Sequence, residues 1–272
     1  MTAVLSIRVS VSYGSRPVLK DVCFDLAPGE VFGIVGRSGC GKSTLAGSIL
    51  ALLPRKSRVE GEVRYGGRDL LKCTERELRA IRGKDIALVL QAAASALNPW
   101  LTLDSQFREA WAAHSGQPWR TQRDQVFELF RTLQLEPTEE FLQRYPRQIS
   151  VGQAQRVLIA MALLHQPRVL ILDEPTSALD CVARAEVQSI VARLSRETGV
   201  SILHITHDLW SVAATCGRIG VLDEGCLVQT GSPEEVFSYP EHPASFALAN
   251  AFRNEPLRPL CLNPKVVELG AL

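Results

Sequence analysis

Nothing constrains this chain more than the run Gly36-Arg37-Ser38-Gly39-Cys40-Gly41-Lys42-Ser43-Thr44, which fits the pattern G-x-x-x-x-G-K-[ST]. It lies between the apolar stretch Val31–Val35 and a helical stretch from Lys42 to Leu53 that Pro54 stops. A strand apolar on both faces belongs inside a parallel sheet, so the run reads as a loop leaving a buried strand and opening a helix. Glycines allow backbone N–H groups to curl around phosphate oxygens, and the helix N-terminus adds partial positive charge. Lys42 can reach the β- and γ-phosphates and the Ser43 hydroxyl suits Mg²⁺, so ATP with Mg²⁺ is the expected ligand. Gly36, Arg37, Ser38, Gly39, Cys40, Gly41, Lys42, Ser43 and Thr44 are the nucleotide-binding candidates. Cys40 is expected to react with alkylating reagents and to be shielded by MgATP, unless its thiol turns into the core.

Length and charge narrow the surroundings of that loop. A chain of 272 residues buries a sizeable core as one globular unit with a subdomain. The formal net charge of +1 provides no field toward nucleic acid or anionic lipid. The longest apolar run, Val157–Leu164, is far short of the ~20 residues that cross a bilayer. No basic-then-apolar leader opens the chain, so it is expected to be neither spanning nor secreted. The 7 cysteines form no Cys-x-x-Cys pair and the 5 histidines show no metal spacing.

Strands are expected at Val4–Ser12, Val18–Leu26, Val31–Val35 and Ile86–Leu90. From Ala92 to about Pro146 strand signals vanish, and Gln125–Leu135 carries apolar residues at helical spacing. Strand and helix then alternate at Val169–Leu172, Val182–Thr198, Val200–Ile205, Leu209–Cys216 and Ile219–Leu222. The last thirty residues hold four prolines and read as a tail or a peripheral attachment. The apolar strand ending Leu172-Asp173-Glu174 delivers two carboxylates where ligands collect in an α/β sheet. Asp173 is placed to hold Mg²⁺ and Glu174 to polarise an attacking water as general base.

At Ile149-Ser150-Val151-Gly152-Gln153 the chain resembles the ABC ATPases, whose signature motif sits before a helix such as the one running on to Leu164. That resemblance implies an α/β fold: a P-loop NTPase core with an N-terminal antiparallel β subdomain and an inserted helical subdomain. It implies a nucleotide-binding domain over residues 1–250, with core segments 1–91 and 158–240, a helical subdomain about 92–157, and a tail at 251–272. It further implies that Ser150, Val151, Gly152 and Gln153 face the γ-phosphate held by a second ATPase subunit. Val151 stands where the family has glycine, so the position either takes ordinary backbone angles or weakens that half-site. Gln91 resembles the Q-loop glutamine that meets Mg²⁺ and the γ-phosphate, Asp180 the D-loop aspartate, and His207 the switch histidine. Tyr13 resembles the aromatic that stacks on adenine. By this resemblance Lys42, Gln91, Glu174 and His207 are catalytic, and Ser43, Gln91 and Asp173 attend Mg²⁺.

Finer features are similar to the importers of peptides, nickel and opine-type metallophores: Ser95-Ala96-Leu97-Asn98-Pro99, Gly231-Ser-Pro-Glu-Glu-Val-Phe, and His242-Pro243-Ala-Ser-Phe-Ala-Leu. Only Cys261 follows residue 226, against the cysteine-rich tail of many peptide-importer members. The resemblance implies a sibling ATPase or a second copy, two transmembrane permease subunits, a solute-binding protein, and a peripheral place at the cytoplasmic face of the inner membrane. Gln91–Leu103, with Ala92, Ala93 and Ala94, is the stretch expected to receive a permease helix. The alternatives are an exporter subunit or a non-transport ABC ATPase acting on nucleic acid.

Overall fold

The computed structural model describes residues 2–91 and 96–254. Ala92, Ala93, Ala94, Ser95 and Cys261, to which the preceding expectations assign roles, lie outside the described residues, as do residues 255–272.

Two sheets organise the molecule. The first is antiparallel, in the order β2-β1-β4-β5, with β1 Leu5–Tyr13, β2 Arg16–Leu26, β4 Ser57–Tyr65 and β5 Arg68–Asp69. The second has the order β10-β9-β3-β8-β7-β6: β3 Val31–Val35, β6 Ile86–Val89, β7 Val169–Asp173, β8 Ser201–Ile205 and β9 Arg218–Asp223 run parallel, and β10 Cys226–Gly231 closes the edge antiparallel. β4 was not anticipated. Its alternation Val59, Gly61, Val63, Tyr65 gives one apolar face, and it pairs with β1 along its whole length, Leu5↔Tyr65 through Tyr13↔Ser57.

The loop Gly36–Thr44 leaves β3 and opens α1, Lys42–Ile49. α1 ends before the expected Leu53 because Ala51 adopts φ 51. The Leu52 N–H then reaches back to Gly47 O at 2.9 Å and the Ala51 N–H to Ser48 O at 3.3 Å, the pair of bonds that closes a helix through a left-handed residue. α2, Glu75–Ile81, starts on a reciprocal cap between Thr74 and Glu77.

The inserted segment forms α3 Leu103–Ala112, α4 Arg123–Thr132 and the short α5 Glu139–Leu142, followed by α6 Val151–Leu163. The core of this helical region is aromatic, with Phe107, Phe130 and Phe141 fully buried and stacked edge to face. Asp104 is also buried there. It accepts from Trp119 Nε1 at 2.9 Å and Arg108 Nη2 at 2.7 Å, and pairs with Arg123 Nη2 at 3.1 Å. α6 runs unbroken through residue 157, so the expected boundary at about 157 falls inside a helix.

β7 is buried at every position, and its side chains alternate between two cores. Leu170 and Leu172 join the aromatic core of the helices, whereas Val169 and Ile171 join Leu45, Leu203, Ile205 and the inner face of the antiparallel sheet. α7 Cys181–Thr198 and α8 Leu209–Thr215 lie on either side of β8 in sequence, as expected to within a residue.

Of the last thirty residues, expected to be a tail or a peripheral attachment, 243–254 are helical. α9 Pro233–Ser238 and α10 Pro243–Asn254 are both helical, and Ser245, Ala249 and Phe252 are buried against α8 and α9. Burial of the apolar Ala249 and Phe252, one turn apart, supplies stabilisation that proline content alone conceals. Among the described residues no helix is long and apolar enough to cross a membrane.

Candidate functional site

The strongest feature of the site is the loop after β3. A Cβ at Gly36 would sit 2.2 Å from Leu222 O, and Gly41 holds φ 112 against Leu19, so neither position admits a side chain. The loop lines a cleft of about 960 Å³ through Gly36, Arg37, Ser38, Gly39, Gly41, Lys42, Ser43 and Thr44, together with Gln91, Glu174 and His207. Four regions distant in sequence thus meet at the C-terminal ends of the parallel strands, where the sheet topology collects ligands.

Lys42 is 7% exposed, donates to Gly36 O at 2.9 Å and Arg37 O at 3.2 Å, and lies 3.9 Å from Glu174 Oε1. Its ammonium is held on the loop's own carbonyls, within reach of the Glu174 carboxylate. Glu174 follows β7 with φ 52, a left-handed conformation that costs a non-glycine residue of order 1 kcal/mol. That geometry is fixed by its N–H donating to Ile205 O at 2.8 Å, and it turns the side chain into the cleft beside its neighbours. Glu174 Oε2 accepts from His207 Nδ1 at 2.7 Å and from Thr206 Oγ1 at 3.3 Å. A carboxylate only accepts, so this contact requires a proton on His207 Nδ1, and the imidazole is otherwise largely exposed.

Asp173 is 2% exposed and bonded by the Ser43 hydroxyl, while its Oδ1 has no partner among the described residues. Burial raises its pKa, with the nearby Glu174 charge adding to the rise and Ser43 and Lys42 opposing it. An uncompensated buried carboxylate oxygen beside a hydroxyl, at the edge of a glycine loop, fits a hard divalent cation brought in by a polyphosphate. Tyr13 lies at the loop's other flank, its hydroxyl 3.3 Å from Thr44 Oγ1.

Cys40 departs from the expectation of a reactive thiol. It is 9% exposed and packs in the core with Leu45 and Leu222, and desolvation raises its pKa. The loop turns its backbone, not this side chain, toward the cleft.

Ser150, Val151, Gly152, Gln153 and Asp180 do not line the cleft. They occupy the tips of α6 and α7, which pack so closely that a Cβ at Gly152 would meet Ala183 Cβ at 2.9 Å. Ser150 Oγ accepts from Gln153 N at 3.1 Å and Gln153 Oε1 accepts from Ser150 N at 2.9 Å. This reciprocal cap leaves the Ser150 O–H as an outward donor. Val151 has no positive φ and is 46% exposed, so the position is ordinary helical backbone. Asp180 Oδ1 caps α7 by accepting from Val182 N at 3.0 Å and Ala183 N at 2.9 Å.

Val18, Leu209, Leu248, Ala251 and Asn254 also line the cleft and were not anticipated. For the last three, the signal was present in the helical spacing 248, 251, 254, a stripe beside the buried one at 245, 249, 252.

A glycine loop between strand and helix, a strand-end carboxylate pair and an inserted helical region define a nucleotide-hydrolysing ATPase of the phosphate-loop class. Residues 19–177 match the family model described as ABC transporter, and the chain belongs to that family. It is 38% identical over 250 residues, 89% of the chain and 75% of the relative, to the dipeptide transport ATP-binding protein DppD of Bacillus subtilis. It is 42% identical over 245 residues to the peptidoglycan transport ATP-binding protein YejF of Agrobacterium fabrum; this match covers 88% of the chain but spans only 45% of that longer relative. Among solved structures, the dimeric ATP-binding cassette MJ0796 bound to ADP and Pi superposes with a TM-score of 0.69 at 30% identity, covering 83% of this chain and 98% of that one. The chain is therefore the ATP-binding subunit of an ABC transporter, an ATPase serving transport.

Proposed function

We propose that two such ATPase subunits close on ATP, each supplying the cleft of Lys42, Ser43, Gln91, Glu174 and His207 to one nucleotide and the tip of α6 to the other. The observation that carries this reading is the separation, within one chain, of the cleft from Ser150–Gln153. A helix N-terminus with an outward Ser150 hydroxyl suits the γ-phosphate of a nucleotide held elsewhere. The solved cassette named as a dimer with ADP and Pi supports the same arrangement.

In this mechanism the loop amides and Lys42 cradle the β- and γ-phosphates, and Tyr13 stacks on adenine. Ser43, Gln91 and Asp173 would hold Mg²⁺, which supplies charge neutralisation at the phosphates when bound. Glu174 orients and deprotonates the attacking water as general base, and His207, oriented by its bond to Glu174, faces the γ-phosphate with Nε2. Asp180, at the tip of α7 beside α6, links the two composite sites. The cycle drives permeases between inward- and outward-facing states.

Peptide import is the favoured transport reaction, ahead of nickel or an opine-type metallophore, because relatives named for dipeptide and peptidoglycan transport align along most of the chain. A sibling ATPase, two permeases and a solute-binding protein complete the system at the cytoplasmic face of the inner membrane. The inserted segment, about residues 92–157, is the part that receives the permeases. The test is affinity purification of the Glu174→Gln protein with MgATP from native membranes, with its companions identified by mass spectrometry. Recovery of permeases and a peptide-binding protein is expected; an assembly without membrane chains would overturn the transport reading.

A further inference from the structure

The C-terminal helix α10 carries two adjacent stripes. One holds Ser245, Ala249 and Phe252, all buried. The Phe252 ring stacks on Phe237 of α9 at 4.6 Å and 11°, and lies 4.5 Å from the Trp210 ring of α8 at 39°. Arg253 Nη2 donates to Phe237 O at 3.0 Å, which locks α10 onto α9. Leu248, which also packs against that aromatic cluster, and Ala251 and Asn254 beside it line the same cleft as the phosphate loop.

Trp210 is one helical position from Leu209, which also lines the cleft, and α8 begins immediately after His207. The start of α8 is clamped from one side by polar bonds. Asp208 caps it by accepting from Ser211 N at 3.1 Å, and is tied to α7 by Gln188 Nε2 at 3.1 Å and Arg184 Nη1 at 3.7 Å. From the other side it is clamped by the Trp210–Phe252–Phe237 stack. Interiors this tightly packed shift as units rather than deform, so a movement of His207 carries α8 and Trp210 against Phe252.

The geometry points to Phe252 as a positioning residue for His207, acting through Trp210, with α10 serving as a wall of the nucleotide cleft that registers what occupies its phosphate end. The inference rests on the cleft being the ATP site. It makes the C-terminal helix part of the catalytic apparatus instead of an appendage.

The test uses the full chain carrying Glu174→Gln, so that ATP stays intact, labelled with 5-fluorotryptophan. Its 4 tryptophans give separate ¹⁹F resonances, and Trp210→Phe identifies the one at the stack. MgATP is expected to shift the Trp210 resonance, and His207→Ala, added to this protein, to remove that shift while a fluorescent ATP analogue still binds. In the otherwise unaltered chain, Phe252→Leu, which keeps an apolar group in place of the ring, is expected to lower kcat about fivefold with KM for ATP within about twofold. Bound MgATP with an unmoved Trp210 resonance overturns the inference and leaves the ATP site standing. Wild-type kcat in Phe252→Leu overturns it equally. Failure of the analogue to bind at all counts against the cleft reading itself. Should Phe252→Leu not fold, the Trp210 resonance decides alone.

Discussion

His207 Nδ1 donates to Glu174 Oε2 at 2.7 Å, joining the end of β7 to the loop after β8 across 33 residues of sequence. Parallel pairing of β7 with β8, Asp173 opposite Ile205, brings the two loops side by side, and the positive φ of Glu174 turns its carboxylate toward the imidazole. The bond restrains the rotamers of both side chains and orients the imidazole.

Loss of either partner is therefore expected to act on turnover more than on binding. Glu174→Gln should reduce kcat by about a hundredfold or more, and His207→Ala by at least about tenfold, with nucleotide affinity little changed. Steady-state phosphate release beside binding of a fluorescent ATP analogue measures both. Hydrolysis near the wild-type rate in Glu174→Gln would remove Glu174 from the role of base.

Asp173 sets a pH dependence. Burial raises its pKa, so the folded protein holds that proton to a higher pH than the unfolded chain does, and ionisation above that range costs stability. Stability from this group is present at low pH and falls as pH rises through the raised pKa, and a bound cation reverses the loss by favouring the charged form. Asp173→Asn should accordingly melt higher than the parent at neutral pH without Mg²⁺, and lose Mg²⁺-dependent hydrolysis by about a hundredfold. Melting scans with and without Mg²⁺ across the acid range provide the check; an unchanged or lower melting temperature would contradict the desolvation argument.

Thiol reagents should discriminate by position. Cys23 and Cys181 are exposed, whereas Cys40 is buried and its thiol is held protonated by desolvation. Iodoacetamide followed by peptide mass mapping is expected to label Cys23 and Cys181 well before Cys40, with MgATP making little difference at Cys40. Rapid, ATP-protected labelling of Cys40 would mean that the sulfur faces the cleft.

The helical region depends on one buried carboxylate. Removing Asp104 leaves Arg123 and the Trp119 indole N–H without their shared acceptor, so Asp104→Ala should cost about 3 kcal/mol. Urea denaturation followed by tryptophan fluorescence reads this directly. A loss below about 1 kcal/mol would show that water replaces the carboxylate.

Local chemistry was legible in the sequence: the strand–loop–helix at Gly36–Thr44, the strand-end pair Asp173 and Glu174, and the apolar strands. Glycine freedom and apolar periodicity act over a few neighbouring residues, whereas the caps at Ser150 and Asp180 went unread. β4 and α10 carried their periodicities too, but a glycine in one and prolines around the other masked them. Tertiary structure alone decided which distant groups meet. It turned Cys40 inward, set the Glu174–His207 bond, kept the tip of α6 away from the cleft and folded α10 against its rim. Those outcomes depend on sheet order and on which faces bury each other, free energies shared among residues far apart in the chain, and no window of sequence contains them.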